Sequence, residues 1–133
     1  MSTTGGYAIE RGRLSGVAVV ALSGEIDVAA APELHEALVD ELGSVRVTVV
    51  DLAAVTFLDS SGLSVLVTAL RRARERGDDV VLCSPTAGVA RVLGLAGLLE
   101  VFRTFPDRES AASAAAESDG DAESEPDGAP APS

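Results

Sequence analysis

The chain of 133 residues has no lysine, no tryptophan, one histidine, one cysteine and only 3% aromatic residues. Each shortage removes something. A lone Cys83 cannot form an internal disulfide, and no metal-ligand cluster surrounds it. With His35 as the single histidine and lysine absent, a nucleophilic serine has few bases to draw on. Few aromatics leave Val, Leu and Ala to fill the interior. No apolar run approaches a membrane span; the longest near the start is Val17–Leu22. The stretch Met1–Gly6 lacks the basic and apolar regions of a signal peptide. A soluble, cytoplasmic protein without a membrane span is expected.

Bases are scarce as well. The formal net charge is −11, but six acids lie from Glu117 onward, where there is no base. The remaining 15 of the 21 acids face 10 arginines, leaving about −5 on the folded part. A phosphate backbone wants a basic face, so no direct nucleic-acid partner is expected.

What is present reads as one domain over residues 7–116. A flexible start (residues 1–6) precedes it, and a disordered acidic tail (residues 117–133) without bulky apolar residues follows. Tyr7–Arg11 and Val17–Leu22 read as a strand hairpin, the second strand apolar on both faces. A helix is expected from about Ala30 to Leu42, with Pro32 in its first turn and Leu34, Leu38 and Leu42 in one stripe. Arg46–Leu52 reads as a central strand. Leu63, Leu66, Val67 and Leu70 recur at i, i+3, i+4 and i+7, the clearest helical pattern, ending at Gly77 after an arginine cluster. Val80–Cys83 reads as a buried strand. A short helix follows Ser84-Pro85-Thr86, then a last strand at Leu99–Phe102 and an Ala-rich helix from Asp107 to about Ala116. This order implies an α/β fold, a mixed sheet of four to five strands flanked by helices. Loops at the carboxyl ends of neighbouring strands would share one rim, bringing Asp27 near Asp59 and Ser60.

The stretch Val55–Gly62, containing Asp59-Ser60-Ser61-Gly62, marks the turn from sheet to helix. A helix start has unpaired N–H groups and a partial positive charge. Ser60 or Ser61 suits the N-cap, and a phosphate on that hydroxyl would face ready donors. Phosphoserine adds roughly −1.5 to −2 charge at pH 7, enough to repel a partner packed over the helix end. Catalysis is not expected. Ser60 lies outside any Gly-x-Ser-x-Gly elbow, and Gly94-Leu95-Ala96-Gly97 follows a helix rather than a strand, unlike a phosphate loop. Asp27 reads as a turn or cap residue and Cys83 as a small buried hydrophobe.

Gly24-Glu25-Ile26-Asp27, Val49–Gly62 with its Phe57-Leu58-Asp59-Ser60-Ser61-Gly62 ending, and Val80–Cys83 leading to Val89–Leu98 carry a resemblance. Over roughly residues 7–115 the chain resembles a stand-alone STAS domain of the bacterial anti-sigma factor antagonist family. The resemblance implies partner switching. The unphosphorylated protein binds an anti-sigma factor that is also a serine kinase of the histidine-kinase-like ATPase type, releasing a sigma factor. Phosphorylation of the serine after the motif aspartate, here Ser60, ends binding, and a metal-dependent serine phosphatase restores it. Asp27 and Asp59 would flank the site, with Ser61 beside it and Gly62 allowing close approach. No cofactor is implied. One departure is Ala29-Ala30-Ala31, where relatives often carry Ser or Thr. Two other readings stay open: a non-phosphorylated STAS scaffold or lipid-transporter accessory subunit, and a small-ligand or nucleotide-binding sensor.

Overall fold

Ser15 and Gly16 both take positive φ, the backbone of a two-residue hairpin turn. They fold β1 (Tyr7–Leu14) back antiparallel on β2 (Val17–Ile26). The computed structural model describes residues 6–124. From β2 onward every connection is a crossover. Helix α1 (Ala31–Glu41) leads to β3 (Val47–Leu58), and α2 (Ser60–Glu75) leads to β4 (Asp79–Cys83). Helix α3 (Ala87–Leu95) and a 3₁₀ turn (Leu98–Glu100) lead to β5 (Thr104–Phe105), and α4 (Arg108–Ser124) is the last described element. The five strands lie in the order β1-β2-β3-β4-β5, with β2 to β5 parallel.

Strand residues alternate between faces, and here both faces are covered. Val20, Leu22, Val50, Leu52, Val80 and Leu82 join residues of α1, α2 and α3 in the main core. Val17, Val19, Val47, Val49, Val81 and Cys83 point the other way, against Ala111, Ala112 and Ala115 of α4. Consecutive parallel strands added in one direction by right-handed crossovers put their helices on one face, which leaves the second face to α4.

Two elements near the end of the described chain differ from the sequence reading. The expected strand Leu99–Phe102 is a 3₁₀ turn followed by β5 at Thr104–Phe105. Gly97, at φ 77°, turns the chain after α3, so Leu98 packs on the core and Phe102 is buried in it instead of pairing. The Ala-rich helix continues through Ser124, into the stretch expected to be disordered from Glu117. Residues 125–133 of that expected tail, and residues 1–5 of the expected flexible start, lie outside the described residues. Gly6 is tied down: the Glu25 N–H donates to its carbonyl at 3.0 Å.

Buried carboxylates on the two faces of the sheet brace the frame through three ion pairs. Glu41, 2% exposed at the end of α1, meets Arg11 Nη2 and Arg13 Nη1 of β1, each at 2.8 Å. Arg11 donates aligned hydrogen bonds from Nε and Nη2 to Oε2, whereas Arg13 reaches Oε1 as an ion contact off the hydrogen-bonding line. On the opposite face Arg108 donates to buried Asp51, pinning the start of α4 to β3. Cys83 pairs with Asp51 across the sheet and is fully buried. Burial pushes its thiol up to about 11, and the Asp51 carboxylate adds to the rise. At pH 8 only about one thiol in a thousand is then ionised. Native protein should therefore resist a thiol reagent at pH 8 and react at once in denaturant; rapid native labelling would contradict this burial.

Gly24 shows why the Gly-Glu-Ile-Asp segment opens on glycine. Its φ is 81°, and a Cβ would collide with the Gly6 carbonyl oxygen beside the β2–β3 register shift. Gly24→Ala should cost about 2 kcal/mol from left-handed strain plus that collision. Denaturant unfolding reads it; a change under ~0.5 kcal/mol, the size of an ordinary surface substitution, would show that the clash relaxes freely.

Candidate functional site at the carboxyl rim of the sheet

Ile26 ends β2 and Leu58 ends β3, paired in parallel register with their side chains in the core. The next residues, Asp27 and Asp59, therefore leave the sheet side by side, as the sequence anticipated. The Asp59 N–H donates to the Ile26 carbonyl at 3.2 Å, joining the two turns directly. β3 reaches Leu58, further than the Leu52 expected from sequence, so the pivotal turn shrinks to Asp59 itself.

Asp59 is the N-cap of α2, a role the sequence reading gave to Ser60 or Ser61. Its backbone is extended at φ −110°, ψ −173°, and its Oδ1 accepts from Ser61 N at 2.9 Å and Gly62 N at 3.2 Å. Its carbonyl accepts from Leu63 N at 2.9 Å. The first-turn donors are thus largely committed, and a charged group on Ser60 would not be drawn inward to them. Ser60 is the first helical residue, exposed, and no described residue hydrogen-bonds its hydroxyl. Ser61 is half-buried.

Asp27 builds the neighbouring turn. Its Oδ1 accepts from Ala29 N at 3.0 Å, and its carbonyl accepts from Ala30 N and Ala31 N at 3.0 and 3.1 Å. Helix α1 has Ala30 at its N-cap with no side-chain cap, the consequence of the three consecutive alanines. Gly62 is buried: a Cβ there would lie 2.7 Å from Leu58 Cδ1 and 3.0 Å from Ile26 Cγ2. Its missing side chain lets α2 sit on the ends of β2 and β3.

The rim carries two carboxylates, one exposed hydroxyl and two solvent-exposed apolar side chains, Val28 and Phe57. Sequence reasoning missed the exposure of Val28 and Phe57; their signal was an apolar residue within two positions of each motif aspartate. His35, the single histidine, lies half-buried on α1 along an open groove with Glu36 and Val65. It makes no hydrogen bond to another described residue. No helix among the described residues is long and apolar enough to cross a membrane.

Comparison with known proteins finds relatives of the fold. An anti-sigma factor antagonist from Mycobacterium paratuberculosis is 28% identical, with a TM-score of 0.77 over 86% of this chain and 97% of that one. The phosphorylated form of the Bacillus cell fate determinant SpoIIAA shares the fold at 20% identity, TM-score 0.67, covering 81% of this chain and 99% of that one. The STAS domain of a SulP transporter from Vibrio cholerae is 25% identical, TM-score 0.63, covering 77% and 83%. The family model of the STAS domain matches residues 8–111. With most of its length matched and the same five-stranded α/β architecture, the chain belongs to the STAS domain family.

Proposed function

We propose that this chain is an anti-sigma factor antagonist that works by partner switching, with Ser60 as the switch. The observation that carries the reading is the exposed Ser60 hydroxyl on the first residue of α2, beside the capping carboxylate of Asp59 and next to Asp27. Unphosphorylated, the rim docks an anti-sigma factor that is itself a serine kinase of the histidine-kinase-like ATPase type, and a sigma factor is released. The kinase transfers the γ-phosphoryl of ATP: a bond forms from Ser60 Oγ to phosphorus, the bond to ADP breaks, and the hydroxyl proton leaves to a base on the kinase. The product adds a strong negative charge at a surface that already holds two carboxylates. A serine phosphatase removes it by hydrolysis and restores docking. The likeness to an antagonist and to the phosphorylated form of another supports this reading.

Incubation with ATP and the cognate kinase, followed by mass spectrometry, tests it. Label is expected on Ser60 and absent from Ser60→Ala. Kinase that binds and labels nothing would leave the chain a scaffold or a sensor.

A further inference from the structure

The two faces of the sheet are covered unequally. On one, α1, α2 and α3 bring Leu34, Leu38, Leu66, Leu70 and Leu93 into a core shared with the strands. On the other, the buried side chains described for α4 are Ala111, Ala112 and Ala115, clustered with valines of β2, β3 and β4 and with Cys83. An alanine removes far less apolar area from water than a leucine, so α4 is held more weakly than the helices opposite. Residues 117–124 of the helix contain no bulky apolar side chain. An open groove of about 270 Å³ already parts Ala112, Ser113 and Ala116 from Leu14 and Ser15 of the hairpin. The polar tie of α4 to the sheet is Arg108, which donates to Asp51 of β3, itself 7% exposed. The chain is fixed as far as Pro106: Ser84 N donates to the Phe105 carbonyl at 2.9 Å, and Ser84 Oγ to the Pro106 carbonyl at 3.0 Å. Asp107 then caps α4 from within the same segment, its Oδ1 accepting from Ser110 N at 2.7 Å. A hinge between Pro106 and Asp107 would therefore release a helix that keeps its own cap.

We propose that α4 is a hinged strap: it lifts off the second face as a unit, pivoting after Pro106 and latched by Arg108 on Asp51, while the sheet and the helices of the other face stay folded. The two clusters of buried side chains share no member, so opening one leaves the other packed. The latch works through desolvation. With α4 closed, Asp51 is a buried charge that needs its cation; with α4 lifted, water takes the cation's place. Loss of Arg108 thus penalises the closed state alone. Opening unmasks the valine face and Cys83, next to the point where β3 parts from β4 and runs on toward Ser60. The strap does not depend on the proposed function.

Cys83 lies in the cluster that α4 covers and reports each opening. In the full chain at pH 8, an aromatic disulfide reagent should label it ~10³-fold more slowly than in denatured protein, through a local opening. Added denaturant should speed labelling with about a third of the slope of global unfolding, because only one helix and the face beneath it gain solvent. A slope equal to that of global unfolding overturns the proposal. Arg108→Ala should label about 30-fold faster than wild type. Arg108→Ala with Asp51→Asn should return to within about threefold of wild type, since a neutral amide needs no cation. A single variant labelled at the wild-type rate, or a double variant as fast as the single one, also overturns the proposal. Hydrogen exchange of the wild type decides the matter even where a variant fails to fold. Amides 112–116 should exchange at least about tenfold faster than those of Val19 and Val49, because a short helix frays once lifted. Equal protection in α4 and the central strands sinks the strap.

Discussion

Ser60→Asp is expected to lower affinity for the anti-sigma kinase at least 100-fold, about 3 kcal/mol, the scale of like charges forced together in an interface. The side chain starts from an exposed position with no hydrogen-bonding partner among the described residues, so folding loses little. An added carboxylate on the first turn is favoured by the helix dipole and opposed by Asp59 beside it, two effects of similar size. The melting temperature should therefore stay within about 2 °C of wild type. Ser60→Ala provides the contrast: it removes a hydroxyl without adding charge, so binding should survive while phosphorylation is lost. Titration calorimetry reads both variants. Binding by Ser60→Asp within threefold of wild type would show that charge at this position does not control docking. The commitment of Ser61 N and Gly62 N to Asp59 matters here. Had those donors been free, a phosphate could have folded back on the helix and been partly neutralised; with Asp59 in place, its charge is presented outward.

The largest expected loss of stability lies elsewhere, in the double substitution Arg11→Ala with Arg13→Ala. It strands the Glu41 carboxylate, 2% exposed, without either cation. Removing the partner of a buried charge costs about 3–5 kcal/mol, and because both arginines are half open to water the lower end, about 3 kcal/mol, is expected. That corresponds to a fall of roughly 10 °C in melting temperature for a domain of this size. Adding Glu41→Gln to the double variant should recover part of the loss, since a neutral amide needs no counter-ion. A double variant melting within 2–3 °C of wild type would mean that water reaches Glu41 and that burial is not what makes the pair matter.

Much of this was legible in the sequence. The Leu66–Leu70 stripe and the apolar runs around Val20, Val50 and Val81 gave helices and buried strands directly, because period and face are local properties. The adjacency of Asp27 and Asp59 followed from topology. What was lost is instructive in its causes. Asp59, Ser60 and Ser61 are all good N-caps by residue type, and only the extended backbone at Asp59 shows which one does the capping. The far end of β3 was hidden because Ala53, Ala54 and Thr56 interrupt the apolar pattern while the strand continues. The Leu99–Phe102 segment has the composition of a strand, yet Phe102 is needed in the core, and pairing shifts to two later residues. Glu41 gave no sign of burial, because its partners are about thirty positions earlier on another element. Arg11 and Arg13, on the same face of β1, were the available hint.

The last paired residues of β3 and β4 are Asp51 and Cys83, yet β3 continues to Leu58 with only β2 alongside it. The strand that presents Ser60 is a cantilever, clamped at its root and braced along one flank. A protein leaning on its tip would flex Ala53–Leu58 against the anchorage of Val55 and Leu58 in the core, leaving the rest of the five-stranded sheet still. How firmly those two side chains are wedged then sets the compliance of the landing surface, independently of the charge carried at its end.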